Sequence, residues 1–135
     1  MVKYVGKITR KEVNELYGRS RAGIVIYQPA ANHNESQPIK LFEFMAAGLP
    51  VIASDFPLWK TIVEENGCGI CVDPENVHEV KDACKLLLED TALGKEMGIS
   101  GRNAVVQKYN WNCEKIQLLN LYKELINMKP VKHRK

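Results

Sequence analysis

The chain has 135 residues, 45% of them hydrophobic and 26% charged, with a formal net charge of +3. This composition excludes disordered and fibrous classes, and the length allows one domain with a real core while being short for a two-lobed enzyme. The small positive balance carries no basic stripe interleaved with aromatic residues, which argues against nucleic-acid binding, and no apolar run is long enough to span a bilayer.

Met1-Val-Lys-Tyr-Val lacks the layout of a signal peptide, so the expected location is cytoplasmic. Val2 to Gly6 alternates like a short strand. Thr9 then caps a helix, Glu12 completes a capping box, and Val13, Leu16 and Tyr17 form its apolar stripe, closed by Gly18 to Arg21. Ala22 to Tyr27 reads as a buried strand, and Gln28 to Asn34 as a polar loop. Within that loop His33 is either a donor-site residue, able to donate to a hydroxyl or phosphate, or a plain surface histidine.

Ser36 is a plausible N-cap, Pro38 suits a first helical turn, and Gly48 stops the helix, which predicts a helix from about Gln37 to Ala47. Leu41, Phe42, Met45 and Ala46 give it one apolar face. Val51-Ile52-Ala53 follows as a strand inside a sheet covered on both faces. Phe56 to Glu65 predicts a short helix with Pro57 in its first turn and Leu58, Ile62 and Val63 inward. Phe56 and Trp59 read either as an aromatic wall or as plain core.

Cys68 to Asp73 is the next strand, and Asn76 opens an amphipathic helix with Val80, Ala83, Cys84, Leu87 and Leu88 on one side. Thr91 to Gln107 predicts another helix, weakened by Gly98 and Gly101, on which Lys95 and Arg102 read as solvated. A closing helix runs from Trp111 through Met128, and its Ile116, Leu119, Leu121, Tyr122 and Leu125 call for a partner. The four cysteines at 68, 71, 84 and 113 make no metal or disulfide pattern and read as reduced thiols. Sustained strand and helix alternation predicts an α/β fold, a partial Rossmann-like parallel sheet with flanking helices, with ligands at the strand carboxyl ends.

Glu35 precedes the central helix and Glu43 lies inside it, seven residues intervening. Free amides and the dipole at a helix start attract phosphate oxygens, and carboxylates on either side can grip sugar hydroxyls. Glutamates at a helix start and on its outer face are also common without any such role. The spacing, together with Lys40-Leu-Phe-Glu-Phe-Met-Ala-Ala-Gly-Leu-Pro-Val-Ile-Ala-Ser-Asp55, resembles the group 1 glycosyltransferases, retaining nucleotide-sugar enzymes of the GT-B fold, and looks like their bacterial surface-polysaccharide branch.

The resemblance implies that Glu35 is the catalytic candidate, orienting the donor sugar, and that Glu43 holds the ribose of the donor nucleotide. With them, His33, Ser36, Gln37, Pro38 and Ile39 form the expected substrate-binding set. The donor is then a nucleotide-sugar, with no metal and no further cofactor. It also implies that the chain corresponds to the later part of the family's C-terminal half, with residues 1–128 a truncated donor-binding domain and 129–135 a basic tail. By its composition that tail reads as solvated and frayed, with a weak electrostatic hold on the inner membrane face as the alternative.

Neither the family's N-terminal acceptor lobe nor the first two strands of its donor lobe has a counterpart here, and the Arg and Lys that clamp the diphosphate have no match. The expected consequences are direct pairing of Val2 to Gly6 with the strand at Ala22 to Tyr27, weak donor binding and no unassisted turnover. A missing lobe or a separate subunit would complete the enzyme. Two alternatives stand beside this reading, a non-catalytic nucleotide-sugar-binding subunit of a split enzyme and a flavodoxin-like nucleotide-binding domain. The second lacks a glycine-rich phosphate loop after the first strand.

Overall fold

Every strand in the described part of the chain runs the same way, and a helix makes each return. The computed structural model describes residues 2–30, 32–33 and 35–127. The elements in order are α1 (Arg10–Arg19), β1 (Gly23–Val25), α2 (Ile39–Ala46), β2 (Val51–Ser54), α3 (Pro57–Glu65), β3 (Gly69–Val72), α4 (Val77–Glu89), α5 (Thr91–Gln107) and α6 (Trp111–Asn127). The sheet order is β1-β2-β3, all parallel, with Gly23 opposite Val51 and Val51 opposite Gly69. Parallel pairing with helical crossovers brings the strand carboxyl ends and the starts of α2, α3 and α4 to one edge.

Side-chain alternation along the strands divides the core in two. Val25, Val51 and Ala53 pack with Leu41 and Met45 of α2 and Trp59, Ile62 and Val63 of α3. Ile52 and Val72 face the other way, onto Ala83 and Leu87 of α4. All four residues of β2 are consequently buried, as a central strand covered on both sides requires. Each fully buried Leu, Ile or Val here contributes about 1.5–3 kcal/mol over an exposed one.

Local signals work as the sequence implies at several ends. Thr9 and Glu12 form a complete capping box, Pro57 occupies the first turn of α3, and Asn76 caps α4. Gly48 sits at φ 72°, in the left-handed region that stops α2 without a Cβ penalty. The glycines of α5, which weaken it as an isolated helix, are its packing surface: Gly94, Gly98, Gly101 and Ala104 are all buried. A Cβ on Gly98 would collide with the carbonyl oxygen of Gly48.

Four expectations are corrected. Val2 to Gly6 forms no strand and does not pair with β1; Val2 and Tyr4 are 99% and 91% exposed. Alternation over so few residues does not make a strand by itself, and this segment gains no ladder partner among the described residues. The central helix is shorter than expected, and Pro38 rather than Ser36 occupies its N-cap position, without a side-chain cap. Arg102 is not merely solvated, since its Nη1 donates to the carbonyl of Ala46 at 2.6 Å and so covers the end of α2. Leu88 of α4, expected inward, is 62% exposed.

Ile116, Leu119, Leu121, Tyr122 and Leu125 of α6, the side chains expected to form its apolar surface, are all exposed, and so is Trp111. Met128 and the basic tail 129–135 lie outside the described residues. No helix among the described residues is long and apolar enough to cross a membrane.

Candidate functional site

The loop between β1 and α2 is fixed from below by two buried side chains. Ser54, at the end of β2, donates its hydroxyl to the carbonyl of Tyr27 at 3.0 Å and accepts from the Tyr27 amide at 2.9 Å, so the β1–β2 contact continues past the strands. Trp59 of α3, fully buried, donates Nε1 to the carbonyl of Ser36 at 2.6 Å. Trp59 and Phe56 are thus core rather than an open wall. Yet through that bond Trp59 holds the segment that carries Glu35.

His33 is half-buried, with its ring 5.1 Å from Tyr27 and 6.3 Å from Phe56. Its Nδ1 lies 2.7 Å from the carbonyl of Gln28, which only accepts, so Nδ1 carries the proton and Nε2 of the neutral ring is an acceptor. Ser36 closes a turn, its amide and hydroxyl both donating to the carbonyl of His33. Glu35 is exposed beside it.

At the start of α2 the amide of Leu41 already donates to Pro38, which leaves the amides of Ile39 and Lys40 ahead of the first helical bond. Pro38 is buried and has no N–H to offer, whereas Ile39 is 76% exposed. Gln37 is exposed and lines a shallow cavity of about 330 Å³ with Phe42, Tyr109 and Glu114.

Glu43, the fifth residue of α2, lies one turn further along the helix and gathers three side-chain donors. Its Oε1 accepts from Arg10 Nη1 at 2.8 Å; its Oε2 accepts from Lys40 Nζ at 2.8 Å and Tyr17 Oη at 3.2 Å. The carboxyl is held well below its ordinary range, to about 2, first by the bond from Lys40 and next by that from Arg10. Both cations are correspondingly raised by Glu43. The side chain retains 20% of its exposure, beside a cavity of about 190 Å³ lined by Arg10, Asn14, Tyr17, Glu43, Ala46 and Ala47.

Glu35, Ser36, Gln37 and Pro38 lie on the backbone that precedes α2, and Ile39 is its first residue, whereas the sequence predicts the helix from about Gln37. Arg10, Tyr17, Lys40 and Trp59 were missing from the expected set. Lys40 stands three residues before Glu43, a spacing that brings side chains together on a helix and was legible. Arg10 had no local signal, since its partner lies 33 positions along the chain. Tyr17 reads as an apolar stripe residue until its hydroxyl is placed.

The model of the family described as glycosyl transferases group 1 matches residues 1–104. The chain belongs to that family. Phosphatidyl-myo-inositol mannosyltransferase of Mycobacterium tuberculosis is 30% identical over 101 residues, covering 72% of this chain and 26% of that protein. A GDP-mannose-dependent alpha-(1-6)-phosphatidylinositol monomannoside mannosyltransferase of the same species is 36% identical over 78 residues, covering 58% of this chain and 20% of that one.

Among solved structures, sucrose-phosphate synthase from Thermosynechococcus elongatus superposes with a TM-score of 0.75 at 27% identity, covering 93% of this chain and 30% of that chain. The three-stranded parallel sheet with its helices is therefore the architecture of a GT-B glycosyltransferase domain. This group 1 glycosyltransferase chain spans between a fifth and about a quarter of the length of these mannosyltransferases, 26% and 20% respectively.

Proposed function

We propose that this chain carries the donor side of a retaining glycosyltransferase that moves a hexose from a nucleotide-sugar to an acceptor in surface polysaccharide or glycan synthesis. One observation carries the reading. In a group 1 glycosyltransferase chain, Glu35 precedes and Glu43 follows the start of α2 at the carboxyl edge of a parallel sheet, where the amides ahead of the first helical bond are open to an anion.

In this proposal the diphosphate docks on the amides of Gln37, Ile39 and Lys40, and the positive end of α2 stabilises charge that grows on the departing phosphate. Glu43 accepts from a ribose hydroxyl. Glu35, exposed beside that site, orients the donor sugar rather than attacking it, and His33 accepts from a sugar hydroxyl through Nε2. Pro38 contributes shape alone. No metal takes part in the step, and the nucleotide-sugar is substrate, not cofactor.

Two of the relatives named above are mannosyltransferases acting on phosphatidylinositol compounds, and that supports a guanosine-diphosphate donor and a lipid-borne acceptor at the cytoplasmic membrane face. An acceptor lobe, on the same polypeptide or on a separate subunit, would cover the apolar side of α6 and the outer edge of β1, where Ile24 is 52% exposed. Without that lobe, donor binding is weak and turnover absent.

Calorimetric titration of the purified chain with GDP-mannose and UDP-glucose tests the reading. Saturable binding that Glu43→Ala and Glu35→Ala each weaken supports it. A folded protein that binds neither compound, or binds them equally well in both variants, refutes it.

A further inference from the structure

Glu43 receives its donors unequally. Oε2 takes two, from Lys40 and Tyr17, while Oε1 takes one among the described residues, from Arg10. A carboxylate offers about two acceptor sites on each oxygen, so Oε2 is filled and Oε1 keeps one place for an incoming hydroxyl. Lys40 comes from the same helix as Glu43, and Tyr17 packs edge-on against Phe44 at 5.4 Å, so both are set by the walls of the site. Arg10 comes from the start of α1 and is 68% exposed along its side chain. It owes its place to the Thr9–Glu12 capping box directly beside it, which fixes where α1 begins.

We propose that Arg10 is the positioning residue for Glu43, turning Oε1 so that its remaining acceptor site meets a hydroxyl of the donor's ribose. This rests on the donor-site reading above and adds to it a residue outside the Glu35 to Glu43 segment. Guanidinium suits the task because its planar fork fixes the direction of the bond as well as its charge. The cavity of about 190 Å³ lined by Arg10, Asn14, Tyr17 and Glu43 gives the group a concave wall instead of open surface. Charge facing the carboxylate comes from Arg10 on α1 and Lys40 on α2, with the Tyr17 hydroxyl as the third donor. The depressed titration of Glu43 accords with this geometry, since an ionised carboxylate accepts and cannot donate.

The test compares affinity for GDP-mannose with affinity for its 2′-deoxyguanosine counterpart, by calorimetry on the full chain. Wild type, Arg10→Ala and Arg10→Lys are each checked for native circular dichroism. The wild type should favour the ribose form by about tenfold or more, the worth of a hydrogen bond to a charged acceptor. Arg10→Ala should bring the two affinities within about twofold of each other, with Arg10→Lys recovering part of the preference.

If Arg10→Ala keeps the wild-type preference, or weakens both compounds alike, Arg10 does not position Glu43 and the proposal fails while the donor reading stands. A wild type that binds neither compound overturns the donor reading, and the role of Arg10 in it. A wild type that binds both alike overturns the ribose contact alone.

Discussion

The indole nitrogen of Trp59 donates to the main-chain carbonyl of Ser36 at 2.6 Å, linking a fully buried side chain to the loop that carries Glu35. The same ring packs edge-on against Tyr27 at 5.2 Å and Phe56 at 5.0 Å, so the segment that follows β1, the start of α3 and the Glu35 loop meet at one residue. Trp59→Phe keeps most of the volume and loses the donor. It should cost about 1 kcal/mol of stability and reduce donor affinity through a looser loop, while Trp59→Ala should cost about 3–5 kcal/mol. Urea unfolding of both variants, with donor titration of the first, checks this; an unaltered affinity in Trp59→Phe would show the loop is set elsewhere.

The glycine face of α5 makes a sharper contrast. Gly98 lies against the Gly48 carbonyl, where backbone has little room to give, whereas the nearest atom to a Cβ on Gly94 is Pro50 Cγ at 3.7 Å, ordinary contact. Gly98→Ala should therefore destabilise by about 1–3 kcal/mol, and Gly94→Ala should be neutral or stabilise by up to about 1 kcal/mol through helix propensity. The denaturation midpoint should fall for Gly98→Ala and stay or rise for Gly94→Ala.

The Glu43 cluster predicts a pH dependence with a definite sign. Its carboxyl is held near 2 in the folded chain against an ordinary 4.5, so the folded state binds the proton less readily than the unfolded one. The stabilisation is complete above about pH 4.5 and is lost as pH falls towards 2. Wild type should lose stability across that window more steeply than Glu43→Gln. Parallel curves would mean that the pairs with Arg10, Lys40 and Tyr17 contribute nothing in solution.

Burial also sets the order of thiol reactivity. It pushes Cys68 up to about 11 and Cys71 up to about 12, with the carboxylate of Glu64 adding to the effect at Cys71. All four cysteines are free. Alkylation of the native chain at pH 8, read by mass spectrometry, should spare Cys68 and Cys71 until denaturant is added; early labelling of Cys68 would contradict its burial.

Much of the fold is legible because its signals are local. The Thr9–Glu12 box, Pro57, Asn76 and Gly48 act within a few residues of themselves, and the all-apolar run at Val51 announces a central strand. The departures are tertiary. Whether Val2 to Gly6 becomes a strand depends on a neighbour, not on its own alternation, and whether Gly98 is a flaw or a contact surface depends on what lies opposite. At the site the pattern holds again: the Glu35 to Glu43 run carries its own signal, while Arg10 is recruited from another helix by the fold alone.

The central claim is a location, the start of α2, and amide chemical-shift mapping of the chain with GDP-mannose reaches it most directly. The amides of Glu35, Ser36, Gln37, Ile39 and Lys40 should shift together and saturate in step, with Glu43 among the next most affected. Shifts confined to the opposite end of the sheet, around Pro50 and Gly94, or a folded spectrum that does not change, would contradict it.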